Sequence, residues 1–315
     1  MALLLRCQTE NPTTGIKGAF IMSTKKPIYL TIHGHFYQPP RENPWTNEIE
    51  IQDSALPNHD WNDRIASQCY DANSASRLLN PYGKISKIVN NYEYMSFNFG
   101  PTLMSWIREK RPETYLRIIE GDKKSAARLN GHGNAIAQVY NHIIMPLASD
   151  KDRATQIEWG IKDFEFHFGR KPEGMWLAET AINSATVIDL IKAGIKYTIL
   201  APTQAESVRE FKDSHWYDVS QSNIDPTRPY RIYPKDEDGD PIIEDGYLDI
   251  FFYDGNLSSA VGFEHLLRNA QTYIDKIKGA FNFENPNDQL ISIATDGESY
   301  GHHEPFGDMC ASYMF

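Results

Sequence analysis

The chain has 315 residues, 41% hydrophobic and 23% charged, which fits a globular protein with a large core and excludes fibrous, collagen-like and disordered classes. Its net charge of −11 comes without a stripe of Lys and Arg, so the phosphate contacts of a nucleic-acid partner are not expected. A neutral ligand such as a sugar suits this balance, and 12% aromatic residues supply rings that could stack on one or simply fill a core. No apolar run approaches a membrane span. Ala2-Leu3-Leu4-Leu5 is too short for a signal-peptide core. Cys7, Cys69 and Cys310 form neither an even disulfide set nor a metal spacing, so a reducing, cytoplasmic setting is expected.

Residues 1–24, which include Asn11-Pro12, read as a loose N-terminal extension, and 25–315 as one domain. Seven short apolar or β-branched runs then predict strands at 28–32, 94–99, 127–133, 174–178, 197–201, 248–253 and 290–294. Nearly continuous apolar strands imply burial on both faces, the mark of a parallel sheet under helices. Between them, 152–168 carries Ile157, Ile161, Phe164 and Phe168 on one helical face. Asn183 is placed to cap a helix holding Val187, Leu190 and Ile191, with Gly194 to stop it. Residues 258–279 repeat the pattern with Val261, Leu266 and Ile274. Such alternation gives an α/β fold, either a barrel or a doubly wound sheet. The segment 203–247 breaks the rhythm. Its acidic run, Asp236-Glu237-Asp238-Gly239-Asp240, lacks the ligand spacing and closing Glu of an EF-hand and reads as a solvated loop.

In α/β barrels the chemistry gathers at the carboxyl ends of the strands. Polar residues concentrate there in this sequence. Glu179 follows the run 174–178, and Asp296 terminates the last predicted strand. Two carboxylates facing one cleft are what glycoside hydrolysis needs; equally, each could cap a following helix. His33 and His35 share one side of a strand. They could bind a metal with Asp296 or Glu179, hydrogen-bond sugar hydroxyls, or pack as core histidines. The same choice applies to His132, His142, His302 and His303. Trp176 reads as barrel wall beside the site or as a sugar platform. Glu298, two residues past Asp296, reads as a hydrogen-bonding neighbour of the acid.

The segments Gly174-Met175-Trp176-Leu177-Ala178-Glu179 and Asp296-Gly297-Glu298-Ser299-Tyr300-Gly301-His302-His303 resemble the third and fourth signature regions of glycoside hydrolase family 57. That family holds heat-stable amylases, 4-α-glucanotransferases and branching enzymes. His33-Gly34-His35 with Gln38-Pro39 resembles its first region. Gln138 to His142, with Pro146-Leu147, resembles its second. The resemblance spans roughly 27–307. It implies an irregular (β/α)7 barrel with outer helices. It also implies an α-glucan substrate, retention of configuration without a cofactor or metal, Glu179 as nucleophile and Asp296 as general acid/base. The two carboxyl groups of a retaining enzyme are expected about 5–5.5 Å apart. His33, His35, Gln38, His142, Trp176, His302 and His303 are the implied substrate-binding residues.

Two departures stand out. Phe36 and Tyr37 separate His35 from Gln38, and the chain ends at Phe315, soon after the fourth region. The family's helical segment, which completes the cleft, is therefore expected to be missing. Two rival readings follow: a metal-dependent polysaccharide deacetylase or α-mannosidase with His33, His35 and Asp296 as ligands, and a carbohydrate-binding fragment with a lapsed site.

Overall fold

A computed structural model describes residues 27–315 apart from 212, 213, 237 and 286. The expected N-terminal extension, with Cys7, lies outside the described residues, as does Glu237 of the acidic run. Seven strands run parallel in chain order: β1 (Ile28–Phe36), β2 (Ser96–Phe99), β3 (Ala137–Gln138), β4 (Met175–Trp176), β5 (Tyr197–Leu200), β6 (Leu248–Phe252) and β7 (Gln289–Asp296). β1 is the hub. It pairs with β7 from Ile28↔Gln289 to His35↔Asp296 and with β2 from His33↔Ser96 to Phe36↔Phe99. Single bridges, Phe97↔Ala135 and Gly174↔Tyr197, join β2 to the β3–β4 pair and that pair to β5. β5 then pairs with β6.

The arc does not close into a continuous barrel. The outer edge of β6 is taken by the antiparallel strand Tyr230–Ile232. The ends of the arc meet through two bonds: the Asp254 N–H to the Ser292 carbonyl at 2.7 Å, and the Leu290 N–H to the Thr227 carbonyl at 2.8 Å.

Side chains alternate across a strand, so each strand contributes one set inward and one outward. Ile136, Trp176, Ile199, Phe251, Leu290 and Ala294 form one buried cluster with Tyr29, Tyr197 and Tyr253, enclosed by the arc. Phe36, Phe97, Phe99, Met175, Leu200 and Ile291 belong to the larger core under the helices. The same alternation aims His33 and His35 of β1, Ser96 and Asn98 of β2, Trp176 of β4 and Asp296 of β7 inward. Phe36 packs the other way, 4.7 Å from the Phe99 ring.

Seven helices cover the strands: α1 (Pro101–Lys110), α2 (Pro112–Arg128), α3 (Asp150–Phe168), α4 (Ser184–Lys192), α5 (Gly255–Phe263), α6 (Ala270–Ala280) and α7 (Gly307–Met314). The Ser149 side chain caps α3, and Gly169 (φ 67°) ends it. Asn183 caps α4 through the Thr186 N–H at 2.9 Å, and Gly194 (φ 82°) follows the helix. Residues 61–74 form a further helical stretch with five π-helical residues, Ala66–Tyr70, in its middle.

Two predicted elements are corrected. The third strand is not 127–133. α2 continues to Arg128, and Asn130 and Gly131 are left-handed (φ 56° and 95°), which breaks an extended run; the strand forms at Ala137–Gln138 instead. The single helix at 258–279 divides into α5 and α6 at His265 (φ 57°), and Tyr273 and Ile277 carry the buried face of α6. In the acidic loop the Asp236 carboxylate accepts the backbone N–H groups of Asp238 and Asp240, at 3.1 and 2.8 Å, in an Asx-type turn.

α3 lies close against β3 because Gly160 has no side chain. A Cβ there would stand 2.1 Å from the Gln138 carbonyl oxygen. Ala at a helix position normally gains about 1 kcal/mol over Gly. The clash with backbone costs more, about 1–3 kcal/mol. Gly160→Ala should therefore lower the urea midpoint, and a midpoint at or above that of the parent would contradict this packing.

Candidate active site

The inward residues at the strand ends form one ordered hydrogen-bond chain. Its direction starts from a backbone carbonyl. Gln138 donates through Nε2 to the Val139 carbonyl at 3.3 Å, so its Oε1 is the acceptor for Asn98 Nδ2 at 2.6 Å. The same Asn98 nitrogen donates to His35 Nδ1 at 2.9 Å, and Asn98 Oδ1 accepts from His33 Nε2 at 3.0 Å. His33 Nδ1 then accepts from the Ser96 hydroxyl at 2.9 Å. With its Nδ1 an acceptor, neutral His35 carries its proton on Nε2 and donates it to His142 Nε2 at 2.9 Å. Burial pushes the pKa of both His33 and His35 down to about 3. Burial also lowers His142, while the charges of Glu179 and Asp296 pull it back up. His142 accepts at Nε2, so in its neutral form it keeps its own proton on Nδ1.

Aromatic rings fix this chain from both sides. Trp176 stacks on His33 and His35, with centroids 4.9 and 5.1 Å apart. Tyr37 stacks on His142 at 4.0 Å. The Trp176 Nε1 is buried and has no partner among the described residues. Other atoms of the Trp176 side chain line the cleft.

Glu179 stands in a short 3₁₀ turn after β4, and Asp296 is the last residue of β7, at the head of the 3₁₀ turn Gly297–Ser299. Glu179 (φ 53°, ψ 21°) and Thr180 (φ 54°) are consecutive left-handed residues. The conformation is costly for a β-branched residue and for any pair of non-glycines, about 1–3 kcal/mol each. The Gln204 side chain opposes that cost. Its Oε1 accepts from Thr180 Oγ1 at 2.9 Å and from the Ala201 N–H at 2.8 Å, and its Nε2 donates to the Thr180 carbonyl at 2.6 Å. Glu179 and Asp296 line one cleft of about 1170 Å3, with His35, Trp176 and His303. Asp296 opens on this cleft, yet its carboxyl is raised above the usual range, first by the protein around it and then by the charge of Glu179; His303 pulls the other way. Glu298 is different. It is 5% exposed and bonded to the Tyr70 hydroxyl at 2.6 Å, and burial raises it to about 7.

Not every expected residue faces the cleft. His33 lies beneath it, held at both nitrogens. Gln38 turns to Arg41, whose Nη2 donates to its Oε1 at 2.8 Å. His302 pairs with Gln68 Oε1 at 2.6 Å. His132 is remote from the cleft and pairs with Glu173 at 2.6 Å. All four ring nitrogens of His33 and His35 already have partners, so the ligand set of the metal-dependent reading would first have to dismantle the chain. Asn98, Ser96, Tyr37 and Gln204 were not singled out from sequence. Ser96 and Asn98 had a signal: they alternate with Phe97 and Phe99 in a buried strand.

Residues 19–312 match the family described as glycosyl hydrolase family 57. The chain belongs to that family. Alpha-amylase 1 of Dictyoglomus thermophilum is 27% identical over 131 residues, 42% of this chain and 17% of that protein. The exo-type maltose-forming amylase of Pyrococcus sp. ST04 shares the fold with a TM-score of 0.64 at 15% identity, over 91% of this chain and 45% of that one. The 4-alpha-glucanotransferase of Thermococcus litoralis does so with a TM-score of 0.60 at 16% identity, over 92% and 37%. This chain thus spans less than half the length of each of these relatives.

The buried histidines of this family 57 chain make its stability depend on pH. The folded-state pKa of about 3 for His33 and His35 lies below the ordinary 6.5. The unfolded chain therefore binds protons that the folded chain refuses. The contribution of these two groups is fully present above pH 6.5 and falls below it, by up to about 1.4 kcal/mol per pH unit for each, opposed between about pH 4.5 and 7 by Glu298, whose raised carboxyl binds a proton in the folded state. Urea unfolding between pH 6.5 and 4 should show this decline, and His35→Gln should flatten it. An equal slope in the variant would show that His35 is not held neutral.

Proposed function

We propose that this chain carries the catalytic carboxylates of a retaining glycoside hydrolase or glucanotransferase acting on α-glucans. The observation that carries the reading is the shared cleft of Glu179 and Asp296, with one acid on each of two separate strand ends and a raised carboxyl on Asp296. Family 57 membership supports the substrate class, as do relatives named as amylases and a 4-alpha-glucanotransferase.

In this mechanism Glu179, as carboxylate, attacks the anomeric carbon. Asp296, as acid, gives its proton to the leaving glycosidic oxygen as that bond breaks. Asp296, now carboxylate, takes the proton of an incoming water or sugar hydroxyl. That oxygen displaces Glu179 and restores the original configuration. Burial and the adjacent charge of Glu179 favour the protonated form that the first step requires. The histidine chain and the Trp176 ring hold His35 in a fixed orientation beside the carboxylates at the cleft.

Incubation with maltooligosaccharides tests the activity, with longer products marking transfer and shorter ones alone marking hydrolysis. Glu179→Gln should lower turnover at least about 10³-fold while the circular dichroism spectrum is retained. Azide should rescue Glu179→Ala and give a glycosyl azide of inverted configuration. Substantial turnover in Glu179→Gln without rescue would remove Glu179 as nucleophile.

The electrostatics give a separate prediction. His303 pulls the Asp296 carboxyl lower than it would otherwise stand. Replacing it with Asn should raise that pKa, keep the acid protonated to higher pH and move the alkaline limb of kcat/KM upward. A downward or absent shift would contradict Asp296 as the acid.

A further inference from the structure

The cleft does not stop at the two carboxylates. It continues along the seam between β6 and β7, where the strand arc is open. One bank is the face of α5 formed by Asn256, Ser259 and Phe263, which are three and four residues apart and therefore in line on a helix. The other bank carries Pro226 and Thr227, beside Ala280 at the end of α6. Phe263 is 85% exposed, and an ideal Cβ on Gly262 meets nothing within 4 Å. A face with an amide, a hydroxyl, an open glycine and a flat uncovered ring matches a sugar chain, which offers hydroxyls at its rim and C–H groups on its ring faces.

Charge and size point the same way. The protein carries −11 overall, yet apart from Asp254 the lining residues along this stretch are uncharged. Asp254 is occupied in capping α5 through the Leu257 N–H at 2.9 Å. The whole cleft, about 1170 Å3, exceeds the roughly 300–1,000 Å3 that encloses a drug-sized ligand. One sugar ring at Glu179 and Asp296 would leave most of it unfilled.

We propose that the seam groove is an extended binding site for a neutral oligosaccharide, holding the sugar units that continue from the one at the carboxylates, with Phe263 as its stacking platform. The inference rests on the α-glucan reading above. Binding of maltotriose and maltoheptaose to the full chain carrying Glu179→Gln, measured by calorimetry, tests it. Maltoheptaose should bind at least about tenfold tighter than maltotriose, and Phe263→Ala should remove most of that advantage. Gly262→Leu is the second variant: it fills the groove from a position with free space and should also cancel the advantage. If maltoheptaose has no advantage, or keeps it in both variants, the groove is not a sugar site although the reading of the carboxylates stands. If neither sugar binds, the α-glucan reading falls and the groove falls with it.

Discussion

The geometry of the site depends on one buried amide. Asn98 hydrogen-bonds both His33 and His35, and its orientation is inherited through Gln138 from a backbone carbonyl that can only accept. Reversing this amide would set two acceptors against each other at Gln138. In a dry interior that mismatch costs about 1–3 kcal/mol, which favours one order for the chain of protons. The tautomers of His33, His35 and His142 follow from that order.

Much of the architecture can be read from the amino-acid sequence because buried parallel strands leave a strong apolar trace. All but one of the seven expected strands overlap observed ones, and the family follows from motifs at their ends. The exception has a physical cause. Residues 127–133 begin in the last turn of a helix whose start is marked by Pro112 and whose end passes into left-handed turns, while the true strand is only Ala137–Gln138. A two-residue strand is held by its neighbours, and so leaves little trace of its own. α1 and α2 were legible in principle, since Pro101 and Pro112 stand at first-turn positions.

The candidate site was legible to a different degree. Residues that bear chemistry directly, such as Glu179, Asp296 and His35, advertise themselves at strand ends. Residues that act by holding others do not. Gln204 lies 24 positions from Thr180 in an exposed turn, and nothing local announces its three bonds. Gln38 shows the converse: it belongs to a recognisable motif, yet the two aromatic residues before it precede a turn towards Arg41. Phe36 packs into the core beside Phe99, and Tyr37 covers His142.

The paired left-handed residues at Glu179 and Thr180 carry a wider implication. A glycine at position 180 would sit in that backbone region without strain, so selection for heat resistance alone would favour it. The same change would remove the hydroxyl tie to Gln204 and widen the arc through which the neighbouring carboxylate can swing. Durability and aim are thus opposed at a single residue, and its identity reports which of the two has governed a lineage.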